Sequence, residues 1–172
     1  MKYKAILFDM DGTLLDTLTD MADAVNHILS VHGWPLRTTE EVRAFVGNGA
    51  RRLMERAVPP EVTGGDFEAV LTEYRDWYQA HNCVATAPYP GIPALLAALA
   101  EAGIKTAVVS NKPDATTKAL AERFFPGLPA FGQRDDVPPK PSPELVYRAL
   151  ATLGVDGGAA AYVGDSEVDV AT

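Results

Sequence analysis

Two aspartates one residue apart, Asp9 and Asp11, close a short apolar run and are followed at once by Gly12-Thr13. Like charges this close raise each other's pKa and are costly side by side. A divalent cation removes that cost and turns the acids to chemistry. Two further acids, Asp165 and Asp169, stand in Gly164-Asp165-Ser166-Glu167-Val168-Asp169, and between the two acid groups lie Ser110-Asn111-Lys112 and Lys140-Pro141. Three acids able to converge at one sheet edge make a hard oxygen site suited to Mg2+, which keeps several waters and accepts phosphate oxygens. The Ser110 hydroxyl, the backbone amide after it and the Lys140 ammonium would hold a phosphate. With its charge neutralised, a carboxylate can attack phosphorus to give an aspartyl-phosphate. A second acid can protonate the leaving oxygen and then deprotonate the hydrolytic water. Asp9 and Asp11 suit those two roles, because residues two apart in an extended segment point to the same side.

The elements that must position these residues are legible in outline. Ala5-Ile6-Leu7-Phe8, Thr106-Ala107-Val108-Val109 and Ala160-Ala161-Tyr162-Val163 read as buried strands of a parallel sheet. Each ends in one of the polar groups just named. A weak strand signal lies around Ala130-Phe131-Gly132. Helical periods follow Gly91 up to Gly103, follow Pro113 towards Phe124, and run from Ser142-Pro143-Glu144 to Gly154. Strand–helix alternation in this order means an α/β, doubly wound parallel sheet, a Rossmann-like core whose ligands lie outside the carboxyl ends of its strands. Residues 17–82 differ, with four helical patterns and no strand signal. Thr17 with Asp20 resembles a cap for the first, Thr38 with Glu41 a capping box for the second, Gly47-Asn48-Gly49 a turn before the third, and Phe67, Val70, Leu71, Tyr74, Trp77 and Tyr78 an apolar side for the fourth.

Composition narrows the class. The 172 residues are 47% apolar and 22% charged, ordinary for a soluble globular protein. A formal charge of -8 disfavours nucleic acid and anionic membrane as partners. A single cysteine, Cys83, the lack of a long apolar run and a start that leads directly into a strand point to the cytoplasm. His27, His32 and His81 have no ligand spacing to one another.

Asp9-Met10-Asp11-Gly12-Thr13, Ser110-Asn111-Lys112, Lys140-Pro141 and Gly164-Asp165-Ser166-Glu167-Val168-Asp169 resemble, in order, the four motifs of the haloacid dehalogenase-like superfamily. The stretch Val42 to Met54 is similar to the cap of bacterial phosphoglycolate phosphatases. The resemblance implies a catalytic core of residues 1–16 and 83–172 with an inserted α-helical cap domain at 17–82. It implies Asp9 as nucleophile and metal ligand, Asp11 as general acid/base and backbone-carbonyl ligand, Asp165 as a further ligand, and Asp169 acting through water or from behind the ligands. Ser110 and Lys140 would bind the transferring phosphoryl group with Asn111 assisting, Thr13 would contact substrate, and Asn48 and Arg51 would meet a substrate carboxylate from the cap. The two crossings between core and cap would act as hinges. The implied activity is a Mg2+-dependent phosphatase of small phosphomonoesters, 2-phosphoglycolate favoured, working as a monomer or homodimer. A phosphosugar mutase, or a truncated and inactive phosphate-ligand-binding protein, are the alternatives; a dehalogenase has no use for the acid at Asp11 or for the metal. Similar proteins continue beyond the helix that begins before Thr172. The C-terminal end of the core is therefore expected to be missing, with low stability and association through the open edge.

Overall fold

The computed structural model describes residues 3–172. It divides into two compact units, one joining the residues up to Asp16 with Ala87–Thr172, the other Thr17–Thr86. The first unit opens with β1 (Ala5–Phe8) and β2 (Leu15–Asp16). The second holds α1 (Leu18–Val31), α2 (Thr39–Phe45), α3 (Gly49–Ala57) and α4 (Gly64–His81). The first unit resumes with β3 (Ala87–Pro88), α5 (Ile92–Glu101), β4 (Lys105–Pro113), α6 (Asp114–Phe124), β5 (Ala130–Gln133), α7 (Glu144–Leu153), β6 (Ala160–Val163) and α8 (Glu167–Ala171).

Four strands form a parallel sheet in the order β5-β4-β1-β6, with Ala5–Phe8 paired to Lys105–Val108 on one side and to Ala160–Val163 on the other. This is the α/β architecture that the alternation predicts. The chain moves outward from β1 through β4 to β5, then crosses back to place β6 on the far side of β1. The connections therefore reverse between β1 and β6, and a ligand crevice belongs at the carboxyl ends of that pair. Leu7, Ala107, Val109, Val137, Leu145, Ala149 and Leu150 pack as one buried cluster. Each large side chain so buried contributes about 1.5–3 kcal/mol. By contrast α5 buries none of its residues, with Ile92, Leu96 and Leu99 only half-buried.

β4 is longer than its apolar run. It carries on through Ser110-Asn111-Lys112 to Pro113, where pairing with β5 resumes at Pro113↔Gln133 after a register shift beyond Val109↔Phe131. Its burial is unbroken from Ala107 to Lys112. Consequently α6 begins at Asp114, with Pro113 as its cap and not its first helical residue.

The second unit is built as its periods predict. Val25, Ile28, Leu29, Val42, Leu53, Met54, Val70, Leu71 and Tyr74 form its buried centre. The capping box at α2 is present: Glu41 N–H donates to Thr38 Oγ1 at 3.2 Å, and Thr38 N–H donates to Glu41 Oε2 at 2.7 Å. At α1 the expected cap differs. Thr17 occupies the cap position with no side-chain cap bond. Asp20, buried, accepts instead from the backbone N–H groups of Val84, Ala85 and Thr86 at 3.0, 2.8 and 2.9 Å. Charge-assisted bonds of this kind are the stronger class. Trp77 stacks with His27 and with His81, with ring centroids 4.8 and 4.0 Å away. No helix among the described residues is long and apolar enough to cross a membrane.

Candidate functional site

Where β1 leaves the sheet the chain turns sharply. The Met10 carbonyl accepts from the N–H groups of Leu14 and Leu15, each at 3.0 Å, and Gly12 N–H donates to the Leu15 carbonyl at 3.0 Å. Met10 itself is fully buried and pins the turn. Gly12 sits at φ +79°, and a Cβ there would stand 2.2 Å from Asp165 Oδ2. At Gly164 a Cβ would stand 2.2 Å from Asp169 Cγ. Two glycines thus leave the room in which the acids approach the turn.

Asp9 is only 7% exposed. Its N–H donates to the Val163 carbonyl of β6 at 2.9 Å. Its Oδ1 accepts from Met10 N–H at 2.7 Å and lies 3.1 Å from Lys140 Nζ. Burial pushes the Asp9 carboxyl up from 3.8 to about 6; the Lys140 ammonium opposes the rise, and Asp11 and Asp169 add to it.

Lys140 is held from both ends. Asn111 Oδ1 accepts from Lys140 N–H at 2.7 Å, and Asn111 Nδ2 donates to the Lys140 carbonyl at 3.1 Å. At the other end Lys140 Nζ donates to Asp169 Oδ1 at 2.6 Å and to Tyr162 OH at 2.9 Å. Tyr162 gives its own proton to the Val109 carbonyl at 2.7 Å, which leaves its oxygen to accept from the lysine. Asn111 was expected at the phosphoryl group; its side-chain amide is committed here to the backbone of Lys140.

Asp169 opens α8 through a capping box with Ser166, whose N–H and Oγ donate to Asp169 Oδ2 at 3.1 and 2.6 Å. Burial raises its carboxyl, but the bonds from Lys140 and Ser166 outweigh that and hold it below the ordinary carboxylate value. Asp165 is exposed and meets Thr13 Oγ1 at 3.4 Å. Partial burial pushes its carboxyl up, with its own backbone and Thr13 opposing and Asp169 and Asp11 adding.

One carboxylate oxygen each from Asp9, Asp165 and Asp169 falls within a 4.8 Å cluster. An all-oxygen set with mutually repelling acids fits a hard dication such as Mg2+. Both oxygens of Asp169 already have donors, so that residue suits a role behind the ligands. The Asp11 carboxylate is not in the cluster. Both of its oxygens accept from Lys112 Nζ, at 3.0 Å each. Ser110 is buried, its Oγ accepting from Lys112 N–H at 3.3 Å.

Asn48 and Arg51 belong to the helical unit. Asn48 is exposed at the start of α3. Arg51 forks onto both carboxylate oxygens of Glu68 at 2.9 and 2.8 Å, which raises its pKa further.

Two residues escaped the sequence reading. Lys112 has a usable signal, since it lies two residues beyond Ser110 in a strand and so shares its side. Tyr162 has none; in Ala160-Ala161-Tyr162-Val163 it reads as one more strand-forming apolar residue.

Comparison with known proteins places the chain among phosphatases and related hydrolases by similarity. The chain is 35% identical over 178 residues to the N-acetylmuramic acid 6-phosphate phosphatase of Pseudomonas aeruginosa, covering 99% of this chain and 76% of that protein. It is 34% identical over 178 residues to the phosphoglycolate phosphatase of Pseudomonas savastanoi pv. phaseolicola, covering 97% of this chain and spanning 64% of that relative's length. Among solved structures, a provisionally named phosphoglycolate phosphatase from Lactobacillus delbrueckii subsp. bulgaricus superposes with a TM-score of 0.93 at 34% identity, over 99% of this chain and 82% of that one. The profile of haloacid dehalogenase-like hydrolases matches residues 3–172. With that match running through every strand and acid of the site, the chain belongs to the haloacid dehalogenase-like hydrolase family.

Proposed function

We propose that the chain is a Mg2+-dependent phosphatase of small carboxylated phosphomonoesters, acting through an aspartyl-phosphate on Asp9. The observation that carries this reading is the buried Asp9 carboxylate, with the Lys140 ammonium 3.1 Å away, at the carboxyl end of the sheet. Asp9 Oδ attacks phosphorus as the bond to the leaving oxygen breaks, and Asp11 gives that oxygen its proton. Asp11 then takes a proton from water as the water's oxygen attacks phosphorus, which releases inorganic phosphate and restores Asp9. Lys140 and Ser110 hold the phosphoryl oxygens during both displacements. Asp9 and Asp165 would hold Mg2+ directly, with the Asp11 backbone carbonyl, and Asp169 would steady Lys140 from behind. When bound, the cation supplies charge neutralisation at the phosphoryl oxygens.

The relatives' names support the substrate class. Phosphoglycolate and N-acetylmuramic acid 6-phosphate both pair a carboxylate with a phosphate ester. We assign the helical unit the role of a cap that selects the substrate, with Asn48 and Arg51 meeting its carboxylate. Arg51 would exchange Glu68 for that group.

The test is inorganic phosphate release from 2-phosphoglycolate, N-acetylmuramic acid 6-phosphate and p-nitrophenyl phosphate, with Mg2+ and after chelation. Turnover of a carboxylated substrate that stops on chelation and returns with Mg2+ is expected. Isomerised sugar phosphate without phosphate release would replace this reading with a mutase.

The Asp9 carboxyl also makes a stability prediction. Its folded value of about 6 lies above the unfolded 3.8, so between the two the folded chain binds the proton more tightly. Its contribution to stability is full below the lower value and is lost as pH rises through the upper one. A cation that binds the ionised carboxylate reverses the trend. The gain in Tm on adding Mg2+ is therefore expected to be larger at about pH 7.5 than at about pH 5. Thermal melts at both pH values, with and without Mg2+, check this.

A further inference from the structure

We propose that Lys112 is the positioning residue for Asp11, holding its carboxylate on the leaving-group side and out of the cation's coordination set. Asp11 sits two residues from Asp9, and the oxygens of Asp9, Asp165 and Asp169 cluster within 4.8 Å. A dication draws any nearby carboxylate, and a carboxylate that coordinates it no longer serves as a proton carrier. Something must keep Asp11 apart. Lys112 Nζ donates to both Asp11 oxygens at 3.0 Å, so turning either oxygen towards the acids breaks an ion pair. The lysine side chain is 4% exposed and that of Asp11 14%. A pair this sheltered is not weakened by solvent as a surface pair is.

Lys112 is itself fixed. Its N–H donates to Ser110 Oγ at 3.3 Å, and its carbonyl accepts from Thr117 Oγ1 at 3.1 Å. Gly132 of β5 lies so close that a Cβ there would stand 2.7 Å from the Lys112 carbonyl. The ammonium thus projects from a strand braced on three sides. Nothing else in the phosphatase reading uses it, since Lys140 serves Asp9.

The experiment has a binding arm and a kinetic arm. Mg2+ affinity is measured by calorimetry for the wild type, Lys112→Met, Asp11→Asn and the double variant. In the wild-type background Lys112→Met is expected to tighten Mg2+ by about fivefold or more, because the freed Asp11 carboxylate joins the ligands. In the Asp11→Asn background the same change has little effect. Lys112→Arg, whose fork spans both oxygens, is expected to restore weak binding; Lys112→Gln serves if the methionine variant does not fold. An equal shift in both backgrounds overturns the proposal.

The kinetic arm rests on the phosphatase reading. With p-nitrophenyl phosphate, whose leaving group needs no proton, Lys112→Met is expected to give a burst of nitrophenol followed by slow phosphate release, as phosphorylated protein accumulates. Equal slowing of both products counts against the proposal. A wild type that releases no phosphate removes the phosphatase reading and leaves the binding arm to decide.

Discussion

Asp9→Asn is expected to reduce phosphate release by about 10³-fold or more, a barrier increase of about 4 kcal/mol. The amide is close to isosteric and its oxygen can still accept from Met10 N–H, which sits 2.7 Å from Oδ1 in the parent chain. What it loses is the nucleophilic lone pair and the negative charge. Losing the charge at this site is not expected to unfold the protein. Burial already disfavours the ionised Asp9, and Asp11 and Asp169 add to that repulsion. The Tm of the metal-free variant at neutral pH is expected to equal or exceed that of the wild type. Activity and stability therefore separate. Steady-state phosphate release, a thermal melt and intact mass after rapid quenching with substrate make the check. A phosphate adduct in the wild type and none in the variant is the expected pattern, whereas wild-type turnover in the variant ends the covalent mechanism.

Lys140→Met is expected to damage both properties. Its ammonium meets Asp169 at 2.6 Å, Tyr162 at 2.9 Å and Asp9 at 3.1 Å, and its side chain is 2% exposed. Methionine fills much of the volume but leaves two carboxylates under cover with no cation between them. Removing one partner of a buried ion pair costs about 3–5 kcal/mol. Asp9 can recover part of this by taking a proton, so about 3 kcal/mol is expected near neutrality and less near pH 5. Urea unfolding at the two pH values reads the difference directly. Phosphate release should fall at least about 10²-fold, as when one preorganised donor to a developing charge is lost. A variant as stable as the wild type at neutral pH would show that the acids do not depend on this lysine.

The acids and Lys140 were legible because each stands at the end of an apolar strand or before a helix start, where local pattern and chemistry coincide. Lys112 stands two residues beyond Ser110, but its partner Asp11 lies 101 positions away, so the pairing itself has no local signal. The family resemblance implies that Asn111 assists at the phosphoryl group, and the apolar run of the strand ends at Val109. β4 instead runs on to Pro113, with its register against β5 shifting between Val109 and Pro113, and the Asn111 amide bonds the backbone of Lys140. β5 pairs with the end of that extension, and its Ala-Phe-Gly-Gln run is too short and too poor in β-branched residues to announce itself. Asp20 was paired with Thr17 by spacing alone. Its partners are three backbone N–H groups more than 60 residues onward, at the far end of the helical unit.

That grip on residues 84–86 has a sequel for how the gene for such a chain can change. Asp16 already pairs with Ala87, and just past that pairing Asp20 fastens the outgoing and returning peptides together. A segment whose two ends touch is a detachable cassette. It can be lengthened within, or exchanged by crossovers at its two ends, while the four parallel strands keep their hydrogen bonds. The strands and the acids at their ends are left undisturbed by such a change.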